Sequence, residues 1–271
     1  MQDNDYSANA AGFLNGSPVA VSEARAVSKH YGRVAALSEV NFAIYRGEIV
    51  GLVGDNGAGK STLVKILSGA LQPSSGEVLV DGKPVVLSSP RASRSIGIET
   101  VYQDLALALH LSLSANIYLG REVVRQGALG WLGWLDKPRM AKAAAAELAK
   151  LRIPFGSVEA ACESLSGGQR QAVAVARAVA WAERLVIMDE PTAALGVAEQ
   201  HQVGELVARI RERGIPVLLV SHNLPQLHAI CDRIVVLRHG RVVADLKAKE
   251  VSVERVVMWI TGATDQPEST E

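Results

Sequence analysis

One stretch of the 271-residue sequence combines glycines, a lysine and hydroxyl residues at a spacing suited to phosphate. Residues 54–61 read GDNGAGKS, which matches the pattern G-x-x-x-x-G-K-[ST] between an apolar strand pattern and an apolar helical pattern. Glycines let the backbone turn so that successive N–H groups point inward, and the helix N-terminus adds positive charge. The sequence therefore predicts a nucleotide phosphate site. Its residues are Gly54, Asp55, Asn56, Gly57, Ala58, Gly59, Lys60, Ser61 and Thr62.

Three side chains of this segment have roles that follow from phosphate chemistry. We expect Lys60 to reach the β- and γ-phosphates, Ser61 to bind Mg²⁺ and Thr62 to donate to an α-phosphate oxygen. A dinucleotide-binding loop is excluded, because the glycine spacing here is G-x-x-G-x-G and a lysine has no role in that fingerprint.

A second candidate feature is a pair of carboxylates at the end of an apolar strand pattern. Leu185 to Met188 are followed directly by Asp189 and Glu190. Many phosphate-loop enzymes deliver an aspartate to Mg²⁺ in this way, so we assign Asp189 to the metal. Glu190 then lies beside the γ-phosphate as the catalytic base for the attacking water. The alternative, a strand that simply ends in exposed acids, would be favoured if the phosphate loop were absent.

A second helix start is also suited to anions. Ser166, Gly167, Gly168 and Gln169 open a predicted helix, with Ser166 as N-cap and the glycines exposing backbone N–H groups. One nucleotide seldom needs two such helix ends within one chain. The economical interpretation is that this end completes a nucleotide held by another subunit.

The elements that must position these residues follow from short apolar runs and helical patterns. Their alternation implies an α/β fold with a largely parallel sheet and helices on its faces. Strands are predicted at 37–44, 49–53, 78–80, 98–101, 185–188, 217–220 and 234–237, and helices at 63–67, 140–151, 169–182, 199–213 and 224–230.

The strand signals vanish between the fourth and fifth strands, which predicts a helical lobe at about 104–165 inserted in one domain spanning 22–263. Residues 1–21 and 264–271 are rich in small, polar or acidic residues without periodicity, and we expect both segments to be disordered. No internal repeat is visible, so the chain carries one copy of its phosphate loop.

Composition limits the classes of partner. Lys and Arg together number 28, as do Asp and Glu, which leaves no net field to attract nucleic acid. The longest charge-free apolar stretch, 105–120, is about four residues short of the ~20 needed to cross a bilayer. With no basic or apolar secretion signal, we expect a cytosolic chain.

Cys162 and Cys231 match no metal-ligand spacing, and both are expected to be buried and reduced.

The motifs, taken in order, resemble those of the ATP-binding cassette (ABC) family. They are GDNGAGKST at 54–62, Gln103 in VYQDL, LSGGQRQ at 165–171, VIMDEP at 186–191 and His222 in LLVSHN. The resemblance implies a phosphate-loop NTPase core with a mainly parallel sheet, an antiparallel β lobe and an inserted helical lobe. It also implies an ATPase that uses ATP and Mg²⁺.

The same resemblance implies roles for three further residues. Tyr31 is similar to the aromatic residue that stacks on adenine, and Gln103 to the glutamine that contacts Mg²⁺ and the attacking water. His222 is similar to the histidine that contacts the γ-phosphate and holds Glu190 in place. Taken alone, each has an ordinary interpretation, as an edge-strand tyrosine, a loop glutamine and a structural histidine.

The amino-acid sequence is similar to that of ATPases of bacterial monosaccharide importers, in segments such as GIETVYQDLAL, NIYLGRE, MDEPTAALGV and WITGA. Most members of that group fuse two cassettes, whereas the single cassette here resembles the fructose importer branch and implies a homodimer. The implied partners are membrane permease subunits and, indirectly, a periplasmic or extracellular sugar-binding protein. The implied location is the cytoplasmic face of the inner membrane. The alternatives are a soluble ATP-driven clamp on ribosomes or DNA and a regulatory subunit with negligible turnover.

Two features depart from the pattern or stay open. Gly196 stands where cassettes commonly carry an aspartate that communicates across the dimer, so we expect weak cooperativity in ATP. Trp131 and Trp134 are expected to pack inside the helical lobe, the alternative being an exposed patch that docks a partner or touches lipid.

Overall fold

A computed structural model describes residues 13–14, 17–153, 155–192 and 196–263. The strands are β1 (Phe13–Leu14), β2 (Ser17–Pro18), β3 (Ser22–Tyr31), β4 (Val34–Ile44), β5 (Ile49–Val53), β6 (Ser75–Val80), β7 (Lys83–Val85), β8 (Ile98–Val101), β9 (Leu185–Asp189), β10 (Val217–Val220), β11 (Arg233–Arg238) and β12 (Arg241–Lys247). The helices are α1 (Lys60–Leu67), α2 (Pro90–Ser95), α3 (Leu113–Ile117), α4 (Ala128–Trp131), α5 (Lys137–Lys150), α6 (Gly167–Trp181), α7 (Val197–Glu212), α8 (Leu224–Ile230) and α9 (Val253–Thr261).

The main sheet has the strand order β12-β11-β5-β10-β9-β8. All of its pairs are parallel except β11 with β12. Strands β5 and β10 are buried along their whole length, as expected for the centre of a parallel sheet covered on both faces. The predicted α/β fold with a mainly parallel sheet is therefore confirmed.

A second, antiparallel sheet has the order β4-β3-β6-β7 and forms the β lobe. It encloses one hydrophobic core together with α1 and one face of the main sheet, while the helical lobe and α6 to α8 cover the other face. Side chains of β5 alternate between these cores, with Val50 and Leu52 on one side and Ile49 and Val53 on the other. The strand that precedes the phosphate loop is thus fixed from both faces.

The helical lobe contains α3, α4 and α5 between β8 and α6. The buried amide of Asn116 donates to the carbonyl oxygens of Ala108 and Leu111 and accepts from Ala108 N–H, which ties the entry loop to α3. Trp181 of α6 packs edge-on against Tyr118, with ring centroids 5.2 Å apart. These contacts fix the lobe against α6.

The expectation for the two tryptophans of the helical lobe is wrong. Trp131 is 89% exposed and Trp134 is 59% exposed, so neither packs inside the lobe. The reason is local: both belong to a short hairpin in which Val124 pairs with Leu135, and the space inside the lobe is filled by residues such as Met140 and Leu148.

The N-terminal segment also differs from expectation. Phe13–Leu14 pairs antiparallel with Ser17–Pro18, and Val21 is buried beside Ile44, so structure begins before residue 22. Residues 1–12 and 264–271 lie outside the described residues. Strand β12 and helix α9 were not anticipated, because their patterns are short and half-exposed.

Two smaller expectations can be compared with the structure. Cys162 and Cys231 are buried free thiols, as predicted. Among the described residues no helix is both long enough and apolar enough to cross a bilayer.

Candidate active site

The phosphate loop is built where a buried strand meets a helix. Gly54 follows β5 with φ of 149°, and a Cβ atom there would clash with the backbone oxygen of Leu237 on β11. Gly59 caps α1 with φ of 105°, and a Cβ there would lie 2.6 Å from the oxygen of Ala36. Only glycine suits these positions, because both the backbone angle and the space exclude a side chain.

Lys60 is the first residue of α1 and turns back over the loop. Its Nζ donates hydrogen bonds to the carbonyl oxygens of Gly54 (2.6 Å) and Asp55 (3.0 Å). An ammonium group thus lies over loop backbone at the positive end of a helix, which is the arrangement that suits a chain of phosphates.

The end of β9 supplies the two carboxylates. Burial raises the pKa of Asp189, and the neighbouring Glu190 adds to the rise, while Lys60 and Lys65 oppose it. Glu190 has φ of 51°, held by its backbone N–H donating to the oxygen of Val220 at 2.9 Å. A non-glycine residue in this conformation is strained, which is typical of functional sites.

His222 follows β10 and reaches the second carboxylate. Its Nδ1 lies 2.9 Å from Oε2 of Glu190, and the imidazole is largely exposed. Since β9 and β10 are parallel neighbours, their carboxyl ends meet at one edge of the sheet. A carboxylate oriented in this way can accept a proton from a water molecule beside it.

A cavity of about 300 Å³ brings together all the residues predicted to be catalytic or to bind the metal. It is lined by Asn56, Lys60, Ser61, Gln103, Asp189, Glu190, Val220 and His222. Tyr31 does not line this cavity: it ends β3, is half-exposed, and has the ammonium of Lys29 5.6 Å from its ring centroid. Asp55, Gly57 and Ala58 line a smaller adjoining space of about 170 Å³, and Thr62 lies in the first turn of α1.

The donors in the larger cavity suit a small hard cation. Ser61, Gln103 and Asp189 offer hydroxyl, amide and carboxylate oxygens, which are ligands that Mg²⁺ accepts together with phosphate and water. Among the described residues no group of three or more His, Cys, Asp or Glu side chains forms a metal cage. A site with one carboxylate fits a cation that arrives with a nucleotide.

The Ser166 end of α6 is separate from this cavity. Ser166 Oγ accepts from Gln169 N–H at 3.2 Å, and Gln169 Oε1 accepts from Ser166 N–H at 2.9 Å, forming a capping box. Because the serine hydroxyl accepts in this box, its own hydrogen remains available to a ligand. Ser166, Gly168 and Gln169 line a different cavity, of about 530 Å³.

The comparisons with known proteins decide the family. A family model described as ABC transporter matches residues 37–193, more than half of the chain. The chain belongs to the ABC transporter family. It is an ATP-hydrolysing, nucleotide-binding subunit of that family.

Two relatives of this ABC ATPase match nearly along their whole length. The chain is 47% identical to the fructose import ATP-binding protein FrcA of Rhizobium meliloti, covering 90% of this chain and 95% of the relative. It is 44% identical to the xylose/arabinose import ATP-binding protein XylG of Sulfolobus acidocaldarius, covering 88% and 93%.

Solved structures show the same fold. The dimeric ATP-binding cassette MJ0796, in a post-hydrolysis state bound to ADP and Pi, superposes with a TM-score of 0.69 at 26% identity. The match covers 84% of this chain and 99% of that one. The cassette fold expected from the motifs is therefore confirmed.

Sequence reasoning missed one residue that supports the Gln103 loop of this ABC ATPase. Arg177 on α6 donates to the carbonyl oxygens of Leu105 and Ala106, each at 2.8 Å. Burial lowers the pKa of its guanidinium. The signal was present, because a single cation within the apolar run AVAVARAVAW must find buried acceptors.

A second missed residue is Glu199, in the first turn of α7. A Cβ atom built on Gly168 would lie 2.6 Å from the Cγ of Glu199. A Cβ atom built on Gly196 would lie 2.6 Å from the Oε2 of Glu199. Glu199 therefore occupies the space that a side chain at Gly196 would need. Residues 193–195, which precede it, lie outside the described residues.

Proposed function

We propose that this chain powers an importer of monosaccharides, with fructose or a related sugar as the cargo. The observation that carries the proposal is the near full-length similarity to a single-cassette fructose import ATP-binding protein. The xylose/arabinose relative supports the same class of cargo. Import ATP-binding subunits act with membrane permeases, which supports a peripheral position on the cytoplasmic face of the membrane.

The proposed chemistry assigns a task to each residue of the larger cavity. Lys60 and the loop N–H groups bind the β- and γ-phosphates of ATP, while Tyr31 stacks on adenine. Glu190 accepts a proton from the water that attacks the γ-phosphate, and His222 orients that carboxylate.

The same cavity also holds the proposed metal ligands. Ser61, Gln103 and Asp189 would hold Mg²⁺, which would supply positive charge to offset that of the phosphates.

The proposed assembly is a head-to-tail homodimer. The nucleotide held by the phosphate loop of one copy is completed by Ser166, Gly167, Gly168 and Gln169 of the other. This explains why the two helix ends line different cavities within one chain. ATP binding closes the pair and switches the permease, and hydrolysis reopens it, while a sugar-binding protein delivers the cargo on the other side.

The hydrolysis step is tested with Glu190→Gln. We expect phosphate release to fall by about 10² to 10⁴, because the variant cannot accept the proton from water. Dimer formation with ATP should persist, measured by size-exclusion chromatography. Glu212→Gln, an exposed acid at the end of α7, is the control. A wild type that releases phosphate no faster than Glu190→Gln would contradict the enzyme role and favour a regulatory subunit.

The cargo is tested by uptake of labelled fructose, ribose, xylose and galactose into cells that lack this subunit. We expect loss of fructose uptake, restored by the wild-type chain and not by Glu190→Gln. Loss confined to another sugar would replace fructose as the cargo. Unchanged uptake together with co-purification with ribosomes or DNA would favour a soluble clamp instead.

Weak cooperativity is tested by steady-state hydrolysis at increasing ATP. Since residue 196 is glycine and has no side chain with which to contact a second copy, we expect a Hill coefficient close to one. A coefficient of about two that Gly196→Asp leaves unchanged would contradict this expectation.

A further inference from the structure

The helical lobe carries a hairpin, residues 123–136, whose shape is fixed by its own backbone. Arg125 N–H donates to the oxygen of Trp134 at 2.8 Å, and Asp136 N–H donates to the oxygen of Val123 at 2.7 Å. These two bonds close the hairpin at its base. Its tip is therefore a defined structure and not a loose connection.

Three glycines fold the tip of this hairpin. Gly127 and Gly133 have φ of 76° and 77°, and a Cβ on Gly130 would clash with the backbone oxygen of Arg125. Hydrogen bonds from Gly130 N–H to Gly127 (3.0 Å) and from Gly133 N–H to Gly130 (2.9 Å) tighten the turn. These glycines and hydrogen bonds define the turn that carries Trp131 and Leu132.

The side chains carried by residues 131–135 are apolar and exposed. Trp131 is 89%, Leu132 62% and Trp134 59% exposed, and Leu135 beside them is also exposed. We call residues 131–135 the tryptophan tip. So large a set of contiguous exposed apolar side chains is seldom left in water, and it marks an interaction surface.

Cations surround the tryptophan tip. Arg125, Lys137 and Arg139 are exposed at the base of the hairpin and the start of α5, and no ion pair with them occurs within the described residues. Two acids lie in the same region: Asp136 accepts from Arg139 N–H at 3.1 Å, and Glu122 accepts from Gly120 N–H at 3.0 Å. The three cations outnumber these two acids, so this part of the surface carries net positive charge on a chain whose formal net charge is zero.

We propose that the tryptophan tip inserts into the surface of an anionic lipid bilayer, with Arg125, Lys137 and Arg139 facing lipid phosphates. Tryptophan prefers the level of the headgroups, leucine the acyl chains just below, and basic side chains the anionic surface above. A protein partner would need a pocket for two indoles and acidic groups around it, whereas one anionic bilayer supplies both environments.

The test uses the full-length protein and vesicles of phosphatidylcholine with and without phosphatidylglycerol. We expect co-sedimentation with the anionic vesicles, weakened by salt, and quenching of tryptophan fluorescence by lipids brominated near the headgroup. Because Trp181 and Trp259 are largely covered by protein, quenching reports the tip. Absence of both signals in the wild type would overturn the proposal.

Variants separate the apolar and the charged contributions. Trp131→Ser with Trp134→Ser should reduce binding by on the order of tenfold or more, and Lys137→Gln with Arg139→Gln should remove the preference for anionic vesicles. Val86→Ser, at an exposed apolar residue of the β lobe, is the matched control and should bind as the wild type does.

Phosphate release should persist in the tip variants, because the tip lies outside the catalytic cavity, so failure of lipid binding is distinguishable from failure of the ATPase. A different result would overturn the lipid proposal: the wild type does not bind vesicles, and the tip variants no longer bind purified permease. The surface would then belong to a protein partner.

Discussion

The phosphate loop and the Ser166 end of α6 are both glycine-rich helix starts, yet they are held in different ways. The phosphate loop lies against the backbones of Leu237 and Ala36, and its lysine is bonded to loop carbonyl oxygens. The Ser166 end is exposed and satisfied by its own capping box. One site is shaped by its own chain, while the other is exposed where the proposed second copy would bind.

The largest expected effect concerns the walls of the phosphate loop. In Gly54→Ala the new methyl group meets backbone that cannot move aside, so we expect a loss of about 3 kcal/mol or more and loss of ATP binding. In Gly57→Ala the space is open and the positive φ costs about 1 kcal/mol. Urea unfolding gives the stability of the two variants, and titration with a fluorescent ATP analogue gives their affinity for nucleotide. Equal losses would show that the loop is not shaped by its neighbours.

A smaller effect is expected at two arginines of α6 that each donate to two backbone oxygens. Arg177→Met releases Leu105 and Ala106 and should cost about 2 kcal/mol, slowing hydrolysis through the Gln103 loop. Arg170 donates in the same way to the oxygens of Cys162 and Glu163, beside the Ser166 end.

Arg170→Met is therefore the matched variant, and it should raise the ATP concentration needed for dimerisation while sparing nucleotide affinity of the monomer. Phosphate release measures the effect of Arg177→Met on hydrolysis, and size-exclusion chromatography measures the effect of Arg170→Met on dimerisation. If both variants changed the same quantity, the two regions would not be independent.

A still smaller effect is expected where Gly168 meets Glu199. Gly168→Ala should destabilise by about 1 kcal/mol, because the new methyl group crowds the glutamate Cγ. Glu199→Ala removes the obstacle, and the double variant should then gain from the helix propensity of alanine. The coupling, about 1 kcal/mol, is measured as a double-mutant cycle by thermal unfolding. Additive effects would mean that Glu199 already moves freely.

The difference between the two regions also explains what the sequence reveals. The phosphate loop and Asp189–Glu190 were predictable, because their chemistry depends on neighbours in the chain and on one flanking strand. The contacts of Arg177 and Glu199 could not be predicted, because their partners are distant in sequence. Arg177 lies more than 70 residues from Leu105, and Glu199 lies about 30 residues from Gly168. The exposure of Trp131 was missed for a similar reason, since the spacing of tryptophans does not reveal whether their side chains are buried.

The last comparison uses the two thiols, one in each region. Cys231 packs beneath Gly51 of β5, and burial raises its pKa to about 12. Cys162 lies just before Ser166, and although burial also raises its pKa, Arg170 and Arg177 oppose the rise. We expect iodoacetamide at mildly alkaline pH to label Cys162 faster, by on the order of tenfold or more, because the thiolate is the reactive form and the two arginines favour it at Cys162.

Peptide mass spectrometry follows each thiol separately, and unfolded protein, in which both label at similar rates, is the control. Adding ATP and Mg²⁺ to Glu190→Gln should slow labelling of Cys162 and leave Cys231 unchanged, since the proposed dimer covers the Ser166 end, whereas Cys231 packs against Gly51 whether or not the dimer forms. Faster labelling of Cys231, or equal protection of both thiols, would contradict the prediction. It would mean that the region around β5 opens as easily as the Ser166 end.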